Sequence, residues 1–243
     1  MMRIDVLTLF PAMFPNILGE SMLKRAQAKR LVAIKVHNLR DWTDDAHRTA
    51  DDKPFGGGAG MVMKVEPVYR ALRELKKGYR VSGIGCRVVL LTPQGKKLEQ
   101  KAVKRLARYK RIILVCGHYE GFDERIRGFA DEEISIGDYI LTCGELPALV
   151  LIDSIVRLIP GVLGHNESVK DESFESGLLE YPQYTRPAEF KGMKVPDILI
   201  SGDHKKIAEW RKREATERTR ERRPDLLRIK GQEASNRKDE KHA

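Results

Sequence analysis

Two apolar runs that end in glycine lie close together in this chain: Ile112–Cys116 before Gly117, and Ile134–Ile136 before Gly137. A glycine at the end of a strand lets backbone come up against a ligand, because no side chain stands in the way. In open α/β sheets ligands sit beyond the carboxyl ends of the strands. Two such ends in one stretch therefore point to a single pocket built from two loops. The first loop, Gly117–Gly121, is polar and carries Tyr119 and Glu120. The second carries Asp138 and Tyr139 and runs into a further turn at Gly144 and Pro147. Between the runs stand an acid/base cluster (Asp123, Glu124, Arg125) and one predicted helix. GGGAG at 56–60 is shaped like a phosphate-cradling turn, but Met61 and Val62 follow where such a loop needs Lys and Ser or Thr. That argues against a nucleoside triphosphatase.

The elements that must position these loops follow from periodicity. Ile4–Phe10 is apolar and suits a buried strand, and Asn16–Lys29 has apolar residues at helical spacing. Leu31–Val36 alternates like a strand. A predicted helix at Val65–Lys76 precedes the strand Arg87–Leu91, and another at Lys96–Tyr109 precedes Ile112–Cys116. Strands alternating with helices predict an α/β fold: a mostly parallel sheet with helices on both faces. The polar stretch from Asp41 to Gly60 is long for a plain connection and reads as a substrate-facing lid. Leu149–Leu158 reads as an apolar helix ending before Pro160 and Gly161. GHNESVKDES after it reads as an interdomain linker. From Asp203, placed as a cap, the chain becomes a basic helix ended by Pro224, and the polar tail 231–243 reads as disordered. The predicted units are 1–162, a linker at 163–175, and a helical basic domain at 176–243.

Composition limits the partners. The chain has 243 residues and a net charge of +10, an excess that suits a polyanion. Residues Lys205 to Lys230 hold eleven Lys or Arg against five Asp or Glu, so most of that excess sits near the carboxyl end. Within it Arg218–Arg223 reads RxRxRR. The helix is read as gripping a polyanion; were that a nucleic acid, phosphate contacts would supply affinity and not sequence choice. Trp210 within it reads as a packing anchor before a base-stacking platform. Cys86, Cys116 and Cys143 form no CxxC pair, which argues against a zinc site and fits a reducing, cytoplasmic setting. The apolar run Val6–Phe10 is too short to span a membrane.

LVCGHYEGFDER and SIGDYILTCGELP resemble strings of the bacterial tRNA (guanine-N(1)-)methyltransferases, the TrmD family of the knotted SPOUT class. The resemblance continues through IDVLTLFPAMF, DDKPFGGGAGM, LLTPQG, IPGVLG, GLLEYPQYTRP and VPDILISG, nearly the whole chain. It implies a trefoil knot in the carboxyl-terminal part of the sheet, a homodimer, tRNA as partner, and S-adenosylmethionine as methyl donor. It implies that three turns hold the donor. Leu90, Leu91, Thr92, Pro93 and Gly95 form one. Gly117, Tyr119 and Glu120 form the second. Ile136, Gly137, Asp138, Tyr139, Ile140, Leu141, Gly144 and Pro147 form the third. The loop bearing Asp51 and Asp52 would lie near the target base. The resemblance also brings in Mg2+, whose ligands the sequence does not identify.

The implied product is guanine methylated on N1 at position 37, just 3′ of the anticodon. That nitrogen carries a proton at neutral pH, so transfer wants a base to take it and a cation near the exocyclic oxygen. In the family pattern the base is an aspartate directly before a serine; here Glu172 stands before Ser173, and Asp171 is one residue earlier. Glu172 is the first choice and Asp171 the substitute. Arg157 matches the family's arginine, with a fixed charge and a planar fork suited to a guanine edge. Asp138 could accept from the donor's amine or orient Arg157. The contrasting reading is a non-catalytic RNA-binding protein that kept this fold.

Overall fold

The computed structural model describes residues 1–77, 85–163 and 172–227. The chain falls into two compact units, Met1–Gly164 and His165–Ala243. In chain order the first runs β1 (Met2–Thr8), α1 (Pro15–Leu18), α2 (Ser21–Ala28), β2 (Val32–Asn38), β3 (Asp51–Asp52), β4 (Val62–Met63), α3 (Val65–Leu75), β5 (Cys86–Lys97), α4 (Gln100–Leu106), β6 (Arg111–Cys116), β7 (Glu132–Ser135) and α5 (Glu145–Val156). The main sheet has the order β2-β1-β6-β5-β7, and every pairing in it is parallel. All five strands therefore deliver their carboxyl ends to one edge.

Side chains alternate across the sheet, as the two-residue strand period requires. Ile112, Leu114 and Cys116 of β6 join Val89 and Leu91 of β5 on one face, under α1, α2, α4 and α5. Ile113 and Val115 join Val88 and Leu90 on the other, under α3 and Ile126. Both faces are apolar, so the strands read as continuous hydrophobic runs. The predicted α/β architecture, helices on both faces, is what folds.

Several boundaries move. The helix expected over Asn16–Lys29 is two helices, because Gly19 ends the first and Ser21 stands in the left-handed region at φ 48°. The expected strand Ile134–Ile136 is β7, which stops at Ser135, and the expected helix before it is a 3-10 turn, Glu124–Phe129. The acid/base cluster serves that turn: Asp123 accepts from the Arg125 backbone N–H and pairs with the Arg125 guanidinium at 2.7 Å. Lys96 and Lys97, expected in a helix, belong to β5 and pair with Ile134 and Ser135. The apolar helix expected from Leu149 begins at Glu145, so Pro147 sits in its first turn, where a missing N–H costs no helical bond. The lid stretch is partly ordered: Leu39–Trp42 is a 3-10 turn, and β3 and β4 form an antiparallel pair.

The second unit holds the antiparallel pair β8 (Glu189–Phe190) and β9 (Met193–Lys194) and the helix α6 (His204–Arg222). Asp203 caps α6 by accepting from the Lys206 backbone N–H at 3.1 Å. Trp210, Ala215 and Thr219 are the buried positions of α6. The Trp210 ring lies 6.5 Å from that of Tyr184, and Thr219 Oγ1 accepts from the Leu179 N–H at 2.8 Å. Trp210 is thus a packing anchor. Most of the predicted linker, including Asp171, and the tail 231–243 lie outside the described residues.

Candidate active site

At the carboxyl edge of the sheet the three glycine turns meet. The turn Thr92–Gly95 is not the end of β5 as expected. Leu91 and Lys96 both register with Ile134, so the residues between them are thrown out of the ladder as a loop. Gly95 allows this: a Cβ there would lie 2.4 Å from the Ile134 backbone nitrogen. Leu90 and Leu91 are buried strand residues, Thr92 is buried, and Pro93 is exposed.

The second turn follows β6. A Cβ on Gly117 would lie 3.5 Å from the carbonyl of Leu91, which places this turn directly beside the first. Tyr119 stands in the left-handed region at φ 60°, a conformation uncommon outside glycine. Gly121 closes the turn by donating to the His118 carbonyl at 3.2 Å. The third turn begins at Ile136 and Gly137 and crosses to α5. Gly144 donates to the Gly117 carbonyl at 2.8 Å, and His118 and Cys143 form an isolated antiparallel bridge. A Cβ on Gly144 would lie 2.6 Å from the Gly117 nitrogen. Residues drawn from the three predicted turns are thus brought into backbone contact. Tyr139, Ile140 and Leu141 are exposed, and Asp138 pairs with Lys97 Nζ at 2.8 Å on the surface.

Sequence reasoning missed what fastens this junction. Thr8, at the carboxyl end of β1, donates to Glu145 Oε1 at 2.5 Å, and both are buried. Glu145 opens α5, where an acid meets the positive end of the helix. The His118 ring lies 4.5 Å from that of Phe10, tilted against it, and meets Tyr119 edge to face at 4.8 Å. Among the described residues two buried side-chain polar atoms have no hydrogen-bond partner, His118 Nδ1 and Glu145 Oε2, and both belong to residues of this junction. The available signal was an acid directly ahead of the apolar run 146–152, a place where an acid needs a reason.

Arg157 is the C-cap of α5 and is half-buried. In the second unit, Glu172 accepts from the Glu175 N–H through its backbone carbonyl at 3.2 Å, Ser173 Oγ accepts from the Glu180 N–H at 3.0 Å, and Phe174 lies at φ 74°. The segment carrying Glu172 is thereby tied to the segment that covers α6. Asp51 and Asp52 are in β3. No group of three or more His, Cys, Asp or Glu able to hold a metal occurs among the described residues.

A cavity of about 290 Å³, lined in part by Arg3, His37, Trp42 and Arg111, involves the early residues of β1 and β6 and not the glycine turns. Its arginines are paired with buried Asp5, at 2.9 Å for Arg3 and 2.8 Å for Arg111. It is a structural feature of the opposite edge.

A family model described as "tRNA (Guanine-1)-methyltransferase TrmD" matches residues 2–229. The chain belongs to this family. Curated relatives named tRNA (guanine-N(1)-)-methyltransferase agree. The protein of Geobacillus kaustophilus is 58% identical over 227 residues, 93% of this chain and 91% of the relative. That of Dictyoglomus turgidum is 55% identical, covering 93% and 90%, and that of Anoxybacillus flavithermus 56%, covering 93% and 91%. The relatives bear the name of methyltransferases, and the match covers the residues of all three glycine turns. Among the described residues no helix is long and apolar enough to cross a membrane.

Proposed function

We propose that this protein transfers a methyl group from S-adenosylmethionine to N1 of the guanine at position 37 of tRNA, 3′ of the anticodon. The observation that carries the reading is the meeting of three glycine turns at one sheet edge, in a chain of this family. Gly95 and Gly144 let neighbouring backbones come into contact where the turns join, and Tyr119, Glu120 and Tyr139 stand exposed on the adjoining turns, offering aromatic and polar groups to a donor with polar and apolar parts. S-adenosylmethionine, when bound, supplies an electrophilic methyl carbon. The remaining work falls to this chain's own groups. The Glu172 carboxylate takes the N1 proton as the new N–C bond forms, and the donor's sulfur leaves as a neutral thioether. Arg157 donates to the exocyclic oxygen, where negative charge builds before the proton has fully left. Asp171 is the substitute base. Asp138, paired with Lys97 at 2.8 Å on the surface, could accept from the donor's amine or orient Arg157.

The unit from Met1 to Gly164 would hold the donor, and α6 would hold tRNA phosphates. Eight cations of α6 and its C-cap are exposed, among them Lys205, Arg213 and Arg220. The predicted trefoil knot is supported by membership of this family. A homodimer is supported by α5, which leaves Leu146 and Val150 exposed one turn apart, beside exposed Asp153, on a largely buried apolar helix. Mg2+ takes one or two carboxylates with waters and substrate phosphates, and Glu120 and Asp138 are exposed carboxylates on the junction's turns. A cytoplasmic setting accords with the three free cysteines.

The test is incubation with methyl-labelled S-adenosylmethionine and an unmodified tRNA transcript, followed by nucleoside analysis. Label in N1-methylguanine at position 37 is expected. Tight RNA binding with no label would replace this reading by the non-catalytic RNA-binding one, which no observation at present favours.

A further inference from the structure

Phe55 is the most exposed large apolar side chain among the described residues, at 102% of its reference exposure. Its setting is not that of a frayed loop. Gly57 donates to the Pro54 carbonyl at 3.3 Å, which makes Pro54–Gly57 a turn, and Gly56 supplies the left-handed conformation at φ 85° that its third position needs. Phe55 therefore stands at the tip, facing away from the chain's own core.

The loop is fastened to the candidate donor site. The Met61 carbonyl accepts from the Glu120 N–H at 3.1 Å, and Met63 donates to the Gly121 carbonyl at 3.0 Å. Gly60 is pressed on the Glu120 side chain, where a Cβ would lie 2.4 Å from Cγ. Met61 is six residues beyond Phe55, and six residues span at most about 20 Å, so the Phe55 backbone stays within about that distance of the residue bonded to Glu120. A Cβ built on Gly56 or Gly57 would meet nothing within 4 Å, so the tip stands clear of neighbouring groups on that side.

N1 of guanine lies on the Watson–Crick edge. An enzyme that acts there must draw the base from its stack, and the step it leaves must be stabilised. Proteins do so with apolar wedges or aromatic faces set against neighbouring bases. We infer that Phe55 is a positioning residue that stacks on an unpaired tRNA base next to the target guanine and holds the opened stack. The inference rests on the proposed tRNA methylation.

The experiment compares Phe55→Ala, Phe55→Leu and Phe55→Trp with wild type on an unmodified tRNA transcript. A second transcript carries 2-aminopurine beside the target guanine and reports stacking by fluorescence. Phe55→Ala and Phe55→Leu are expected to lose about tenfold or more in kcat/KM for tRNA, and Phe55→Trp to stay within about threefold. Quenching of 2-aminopurine should persist with Phe55→Trp and fade with Phe55→Ala. Donor affinity, melting temperature and sedimentation should not change. Wild-type rates and quenching in Phe55→Ala overturn the inference, and full activity in Phe55→Leu does the same, because bulk would then suffice. A shift of Phe55→Ala from dimer to monomer also overturns it, by assigning the ring to a protein interface. A wild type that never methylates tRNA defeats the proposed function instead, and the fluorescence arm still reads the ring.

Discussion

Glu172 and Arg157 carry the chemical burden of the proposed reaction, and they differ in how each can be replaced. Loss of a general base typically costs about 10²–10⁴-fold. Glu172→Ala is therefore expected to fall by that order in single-turnover rate, with Asp171→Ala near wild type. The reverse result would move the base one residue. Arg157→Lys should recover little of the loss in Arg157→Ala, because an ammonium cannot present a planar fork to a guanine edge. A different residue governs stability. Asp5 is fully buried; burial alone would raise its pKa, but the His37 N–H, Arg3 and Arg111 outweigh it and bring it from 3.8 to about 2. A lowered pKa stabilises the fold above the ordinary carboxyl value, and that contribution disappears as the pH falls from about 4 to 2. It amounts to about 2 kcal/mol. Asp5→Asn should cost more, about 3–5 kcal/mol at neutral pH, because Arg111 is 3% exposed and would be left buried without its counter-charge. Urea melts at pH 7 and pH 3 read both effects: wild type should lose stability between them, and the variant should lose less.

At the scale of elements, the glycine crossings decide whether the turns can meet. Gly144 has φ −81°, so its backbone conformation suits any residue. What alanine would meet there is backbone, 2.6 Å away at Gly117 and 2.8 Å at Cys116. Gly144→Ala must push the start of α5 away from the end of β6. A loss of about 1–3 kcal/mol in stability is expected from such overpacking. Donor binding should weaken by calorimetry, while tRNA binding stays close to wild type. Equal donor affinity in a stable variant would show that these two turns need not touch to hold the donor. Gly57 offers a contrast: nothing lies near it, so the same substitution there strains the backbone at φ 80° without a clash.

At the scale of the molecule, the unpartnered face of α5 and the cations of α6 make separate predictions. Val150→Glu puts a charge on the face proposed to meet a second copy. Light scattering should show monomers, and methylation should fall even though every proposed catalytic residue is intact. A variant that stays dimeric would place the interface elsewhere. The basic helix predicts a steep salt dependence, since each phosphate neutralised releases counterions. Removing Arg213 and Arg220 together should lower that slope by about two, with sequence choice unaltered.

The sequence alone was enough for the class of fold and for the three turns. Continuous apolar strands, alternating helices and glycines at strand ends are local signals, and nearly the whole chain bears the family's strings. It also revealed the Asp203 cap and the basic helix, because capping and charge are read over a few residues. It could not reveal that β5 runs on past its glycine turn, since the pairing of Lys96 with Ile134 depends on another strand 38 positions away. Nor could it show that Asp123, in the acid/base cluster, caps a 3-10 turn. Thr8 and Glu145, 137 residues apart, become partners only when β1 lies beside β6 and the crossing at Gly144 brings α5 over both. Local chemistry is written in neighbouring residues; which distant backbones touch is settled by how the parallel sheet stacks its strands.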